Sequence, residues 1–226
     1  MSERNKEIKV RVNEIFFSID GEGRTTGGLA IFIRLSGCNL RCSYCDTEYA
    51  LAMKAGKEMT IEEILLEIKK YSTRHVTLTG GEPLLQAHSL DLVKALVGAG
   101  YLLNIETNGA VDIRPAQREG VMITLDYKCP ASGMEGKMLP ENFKALREED
   151  LVKFVCETSD LPRVKEVVKE YQFSSYVYFS PVFGKIRPEE LVEFLKELAA
   201  EGIDTEKFRV GLQIHKVIWD PNLRGV

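Results

Sequence analysis

The sequence has no apolar run approaching the roughly 18 residues that would suggest a membrane span. Its first ten residues, Met1 to Val10, are charged where a signal peptide would be apolar. A cytoplasmic protein without a membrane association is expected. Nor is there an excess of positive charge, since 30 Lys and Arg stand against 34 Asp and Glu for a formal charge of -4. No global field exists to hold a polyanion, which argues against general nucleic-acid binding. The composition also excludes a disordered chain, a collagen-like repeat and a disulfide scaffold. What is present, 226 residues of which 44% are hydrophobic and 28% charged, is enough for one sizeable core and points to a single domain over residues 1–226.

Short runs rich in β-branched residues recur at Ile31 to Leu35, His75 to Thr79, Leu102 to Glu106, Val121 to Asp126, Leu151 to Cys156, Tyr176 to Ser180 and Phe208 to Ile214. Helical patterns lie between most of them. Thr60-Ile61-Glu62-Glu63 reads as a capping box, followed by Ile61, Ile64, Leu65 and Ile68 at the spacing of one buried face. After Pro188, Leu191, Phe194, Leu195 and Leu198 form a second such stripe, which Gly202 is placed to end. The alternation predicts an α/β fold with a mainly parallel sheet, open or curled into a partial barrel, helices outside and active loops at the carboxyl ends of the strands. Two stretches escape it, Gly37 to Lys57 and Tyr127 to Asn142. Long loops in compact domains are usually functional.

The first of these loops carries Cys38, Cys42 and Cys45 as C-x3-C-x2-C. Three thiolates so close cannot all pair with each other, but all can face one soft metal centre. Four thiolates usually complete a zinc or iron-sulfur site, so three leave one coordination position for something else. Spacing alone also allows a structural zinc completed by Cys129, Cys156 or a histidine; otherwise those two cysteines are simply isolated thiols. The strand from His75 ends in Gly80-Gly81-Glu82-Pro83, and the next ends in Glu106-Thr107-Asn108-Gly109. Each is an ordinary turn sequence by itself.

The cysteine spacing, with aromatic Tyr44 before the last thiol and Gly-Gly-Glu-Pro following at a strand end, resembles the radical S-adenosylmethionine superfamily. That resemblance implies a [4Fe-4S] cluster on the three cysteines, its fourth iron chelated by the methionine amino and carboxylate groups of S-adenosyl-L-methionine. It implies a partial (β/α) barrel. It places Tyr44, Asp46, Gly80, Gly81 and Glu82 at the cofactor, with Glu106 and Asn108 suited to its ribose hydroxyls, Ser180 bordering the adenine, and Lys128 nearby.

The segment Glu14 to Gly23, the run Cys45-Asp46-Thr47 and the tail from Gln213 to Val226 further resemble the 7-carboxy-7-deazaguanine synthase family. That resemblance runs from about Val12 onward. It implies a lyase that abstracts hydrogen from C6 of 6-carboxy-5,6,7,8-tetrahydropterin and contracts the ring with loss of ammonia. Ile19, Asp20, Gly21, Glu22, Arg34, Thr79, His215 and Val226 match substrate positions, and Thr47 the position that binds Mg²⁺. Asp20 stands where the family usually has glutamine, and Asp126 and Tyr127 where it has a small residue and proline. An external one-electron donor of flavodoxin or ferredoxin type and a homodimer are usual in the family. The amino-terminal segment, the loop Tyr127 to Asn142 and the carboxyl-terminal tail are expected to roof the pocket. A glycyl-radical-enzyme activase is the nearest alternative enzyme, and a zinc or iron-sulfur binding module the alternative without catalysis.

Overall fold

The computed structural model describes residues 7–226; the first six residues of the charged start lie outside them. Nine strands form one sheet: β1 Lys9–Ile19, β2 Leu29–Leu35, β3 Lys57–Thr60, β4 His75–Gly80, β5 Leu102–Thr107, β6 Met122–Tyr127, β7 Leu151–Cys156, β8 Tyr176–Pro181 and β9 Phe208–Val210. Their order is β3-β1-β2-β4-β5-β6-β7-β8-β9. From β2 to β9 all neighbours are parallel, whereas β1 pairs antiparallel with both β2 and β3. The sheet has two edges and is not a closed barrel.

Seven α-helices, besides five short 3-10 turns, accompany the sheet among the described residues: α1 Ile61–Ile68, α2 Ser89–Gly98, α3 Arg114–Gln117, α4 Pro140–Lys144, α5 Leu161–Tyr171, α6 Pro188–Ala200 and α7 His215–Ile218. α1 begins at the capping box, with Glu63 N donating to Thr60 Oγ1 at 3.1 Å and Thr60 N to Glu63 Oε2 at 2.7 Å. Its four apolar positions are buried, as are Leu191, Phe194 and Leu198 of α6, while Leu195 packs partly buried beside them. Among the described residues no helix is long and apolar enough to cross a membrane.

The period of two along the strands separates two very different faces. Val76 and Leu78, Leu103 and Ile105, Ile123 and Leu125, Val152 and Phe154, and Val177 and Phe179 enter the hydrophobic core shared with the helices. The alternate positions Thr77 and Thr79, Asn104 and Glu106, Thr124 and Asp126, and Lys153 point to the other face. Thr77, Thr79, Asn104, Thr124 and Lys153 are buried there. A sheet whose concave face is polar is already a site, because those groups need partners or a ligand.

The strand pattern was not fully expected. β1 and β3 were unforeseen: Lys9–Ile19 interleaves charged and polar residues with apolar ones, and its register slips between Val12 and Glu14. β9 stops at Val210 instead of running to Ile214, because the chain leaves the sheet and Ile214 N donates to Gly21 O at 3.1 Å.

Phe154 anchors the apolar face, fully buried with its ring centroid 4.9 Å from Tyr127 and 5.8 Å from Phe179. Phe154→Ala should cost about 3–5 kcal/mol of unfolding free energy in urea titrations. A cost below about 1 kcal/mol would mean that the face repacks freely.

Candidate active site

The cysteine loop is held at both ends by backbone. Gly37 N donates to Ala50 O at 2.8 Å and Cys38 N to Leu51 O at 3.1 Å, closing the loop on itself, while Glu82 N donates to Gly37 O at 2.8 Å from the end of β4. The stretch Tyr127 to Asn142 packs behind it: Ser43 N donates to Ser132 O at 3.1 Å and Ser43 Oγ to Ala131 O at 2.6 Å. Only Lys128 of that stretch lines the pocket. It therefore buttresses the cysteine loop instead of roofing the cavity, which corrects that expectation.

All three thiols line one pocket. Burial pushes the Cys42 and Cys45 thiols above their ordinary values, and neighbouring thiols add to it. A bound cation reverses that balance. Among the described residues, no three His, Cys, Asp or Glu side chains converge closely enough for a single ion. A cluster presents a separate iron to each thiolate, so three thiols on one pocket wall need not converge on a single point to hold it. A second feature fits a ligand here: Asp126 Oδ1 is the one buried side-chain polar atom among the described residues with no hydrogen-bond partner, and Asp126 lines the same pocket.

Gly80 and Gly81 are required by the packing of this chain. Gly80 has φ +153°, and a Cβ there would meet Leu35 O at 2.3 Å; on Gly81 it would meet Gly37 O at 2.4 Å and Cys38 Cβ at 2.7 Å. The bare backbone lets β4 lie directly against the cysteine loop. Glu82 is fully buried and does not line the pocket. It accepts from Leu84 N at 3.0 Å, Asn108 N at 2.8 Å and Thr107 Oγ1 at 3.0 Å. In this structure its side chain ties the end of β4 to the end of β5. Asn108, held there, directs Nδ2 to Asn39 Oδ1 at 3.0 Å, with Cys38 Sγ at 3.6 Å.

Further along the wall, cross-strand neighbours set the chemistry. Phe16 and Phe32 face each other across β1 and β2 and stack at 4.7 Å. Arg34, opposite Glu14, donates from Nε to Glu14 Oε1 at 2.7 Å, and Tyr49 Oη donates to the same oxygen at 2.8 Å. Asp126 and Lys153 are register partners on β6 and β7. Lys153 Nζ reaches Glu22 Oε2 at 2.6 Å and Asp126 Oδ2 at 3.8 Å, and Lys128 Nζ reaches Asp126 Oδ2 at 2.8 Å. Enclosure by the pocket raises the Glu106 carboxyl to about 7, with the Glu22 and Asp20 charges adding to it and Lys153 opposing. Tyr44 Oη donates to Val155 O at 3.1 Å.

The tail closes this wall. His215 sits on Gly21, where a Cβ would lie 2.2 Å from its Nδ1. Burial lowers the His215 pKa from its usual value, although the Glu22 charge opposes this. Lys216 Nζ bonds Asp46 Oδ2 at 3.0 Å, and despite desolvation the ammonium holds Asp46 down at about 2. Thr47 Oγ1 donates to the other Asp46 oxygen at 3.0 Å. Arg224 lies 3.8 Å over the Tyr49 ring, and Val226 lines the pocket.

The structure therefore brings together every site residue expected from the sequence except Glu82 and Ser180. Ser180 is buried beside Gly211, and Val182 and Phe183 stand on the wall in its stead. Lys153, Asp126, Gln213 and Lys216 were not anticipated as site residues. Lys153 left a signal, being a lysine inside the apolar run Leu151–Cys156.

Comparison with known proteins agrees with this geometry. A model of the radical SAM superfamily matches residues 32–128. The crystal structure of QueE from Escherichia coli resembles the chain with a TM-score of 0.70 at 23% identity, covering 93% of this chain and 98% of that one. SuiB of Streptococcus suis gives 0.55 at 15% identity over 78% of this chain and 47% of its own. Those two likenesses are of fold. Fold and pocket together define a radical S-adenosylmethionine enzyme, which works with a [4Fe-4S] cluster and S-adenosylmethionine. The 7-carboxy-7-deazaguanine synthase of Clostridium acetobutylicum is 42% identical over 97% of this chain and 100% of its own length, and that of Koribacter versatilis 37% identical over 96% and 100%. The chain belongs to the 7-carboxy-7-deazaguanine synthase family, and neither an activase nor a binding module is favoured.

Gly81→Ala should lower iron and sulfide per chain after anaerobic reconstitution, since the methyl group must displace Gly37 O or Cys38. Wild-type iron and sulfide in the variant would show that the loop can yield without losing its thiol geometry.

Proposed function

We propose that this chain converts 6-carboxy-5,6,7,8-tetrahydropterin to 7-carboxy-7-deazaguanine with loss of ammonia, in deazapurine biosynthesis. The observation that carries the reading is one pocket lined both by the three cysteine thiols and by a guanidinium, two stacked phenyl rings and a ring of paired charges. When bound, the cluster supplies the single electron that turns S-adenosylmethionine into a hydrogen-atom abstractor. The protein's own part is binding, orientation and exclusion of water.

Arg34 is suited to the substrate carboxylate. Among the described residues its hydrogen bonding is confined to Nε, which leaves the planar fork of the guanidinium for a ligand. Phe16 and Phe32 supply an apolar wall for a flat ring. Thr47 Oγ1 and Asp46 Oδ1, already 3.0 Å apart, are hard oxygens of the kind that Mg²⁺ takes alongside substrate oxygens and water. Asn108 and Lys128 lie on the cysteine side of the wall, suited to the cofactor.

Water exclusion falls to the tail. Ile214 N on Gly21 O, Lys216 on Asp46 and Arg224 on Tyr49 strap the carboxyl-terminal segment across from β1 to the cysteine loop. The reading also carries an external one-electron donor of flavodoxin or ferredoxin type and a homodimer.

Reconstituted protein incubated with S-adenosylmethionine, dithionite, Mg²⁺ and the pterin should form 7-carboxy-7-deazaguanine by mass spectrometry, and Cys42→Ala should form none. Cofactor cleavage without that product would move the substrate to another class. Deleting Arg224 to Val226 should lower turnover by roughly tenfold or more while sparing iron content. Equal losses of both would count against the strap.

A further inference from the structure

Of the five carboxylates facing the pocket among the described residues, three are paired with a lysine and two, Asp20 and Glu106, are not. Asp20 accepts from the Thr25 hydroxyl and from Thr77 Oγ1 at 3.4 Å. Glu22 is held by Lys153 Nζ and Gln213 Nε2, each at 2.6 Å. Asp46 has Lys216 and Thr47, both at 3.0 Å, and Asp126 has Lys128 at 2.8 Å. Glu106 has no ion pair among the described residues. Lys153, the cation that opposes the rise of its proton affinity, gives its ammonium to Glu22 and Asp126.

Glu106 stands one step beyond the Leu78 and Ile105 pair, beside Thr79 on β4, and Thr79 in turn is the register partner of Arg34. The charged groups that face it are Asp20 and Glu22 after β1, Arg34 on β2 and Lys153 on β7. β6 adds Asp126, two residues beyond the register partner Thr124 on the same face. β4 contributes the neutral Thr79 hydroxyl. These neighbours belong to the part of the wall that suits the pterin, whereas Asn108, two residues on, turns to Cys38.

We propose that Glu106 is the proton carrier of this reaction, taking a proton from a ring carbon and passing it to the departing amine. The inference rests on the substrate reading above. Substrate and product differ by one ammonia, so the closing step is an elimination that needs no oxidant. The carbon–hydrogen pair forms the new ring double bond as Glu106 becomes a carboxylic acid. The carbon–nitrogen bond then breaks with its pair on nitrogen, which receives the same proton and leaves as ammonia. A carboxylate locked to a lysine resists protonation, because the ion pair favours its charged form. Glu106 is free of that lock, and a carboxyl raised to about 7 exchanges its proton readily near neutral pH.

The test uses reconstituted holoenzyme and pterin deuterated at C6, following deuterium transferred to the cofactor and 7-carboxy-7-deazaguanine formed. Glu106→Gln should retain deuterium transfer while product formation falls by roughly 10²-fold or more, and Glu106→Asp should recover part of it. Infrared titration of the holoenzyme without substrate should show a carboxylic acid band that disappears near neutral pH and is absent from Glu106→Gln. Product at the wild-type rate in Glu106→Gln, parallel loss of transfer and product, or persistence of the band in that variant would each overturn the role. Absence of both transfer and product in the wild type would instead overturn the substrate reading, and the role with it.

Discussion

The pocket wall depends on a carboxylate that never reaches it. Glu82, fully buried, gathers donors from three places: Leu84 N in its own turn, Thr107 Oγ1 at the end of β5 and Asn108 N just beyond. Burial pushes this carboxyl up, and the backbone donors pull it back. A buried acceptor stripped of such donors costs more than the bonds contribute when made. The ends of β4 and β5 are thereby fixed to each other. Gly80 and Gly81 then fix β4 to the cysteine loop, and Pro83 starts the short turn Pro83–Leu85 that brings Leu84 N round to the carboxylate. All four residues of Gly-Gly-Glu-Pro thus serve one junction, at which strand ends and thiol loop share backbone contacts.

The same economy governs the concave face. At two points charge is placed by strand register, where Glu14 meets Arg34 across β1 and β2 and Asp126 meets Lys153 across β6 and β7. Polar groups deeper in the sheet pair likewise, Thr124 Oγ1 donating to Asn104 Oδ1 at 2.9 Å. Such pairing keeps a polar interior stable without filling it. Asp126 Oδ1 has no hydrogen-bond partner, and the Glu106 carboxylate has the Thr79 hydroxyl but no ion pair among the described residues; both residues line the pocket, where a ligand can reach them.

Legibility followed distance along the chain. The thiol spacing, the capping box of α1 and the alternation of strand and helix are local patterns, and each stands in the structure. Glu82 lies off the pocket lining in a way its motif does not show, because a motif names residue types and not the direction in which a side chain points; the β5 donors, some 25 residues away, turn it inward. Ser180 likewise lies off the lining, pairing with Val155 by register while Val182 and Phe183 stand on the wall. β1 was missed because a strand with a polar concave side reads as a charged loop. Lys153 is intelligible only once Glu22, 131 residues earlier, is seen beside it.

The departure at Asp20 shows how such a wall tolerates change. A carboxylate cannot donate as the family's usual glutamine can, but its side-chain partners here all donate to it: the Thr25 and Thr77 hydroxyls, which rotate to do so, and the Glu22 backbone N–H at 3.5 Å. Its backbone contacts, Asp20 N to Gly28 O at 2.6 Å and Gly27 N to Asp20 O at 2.8 Å, do not involve the side chain at all. The contacts at this lip thus need no donor from the side chain of residue 20, and its carboxylate brings a charge. Asp20 adds a negative group facing Glu106, where an amide would be neutral, and that repulsion acts in the same direction as burial. In this chain the proton affinity of Glu106 is consequently set by residue 20 as well as by the depth of the pocket, which ties a position at the end of β1 to the acid–base behaviour of one at the end of β5.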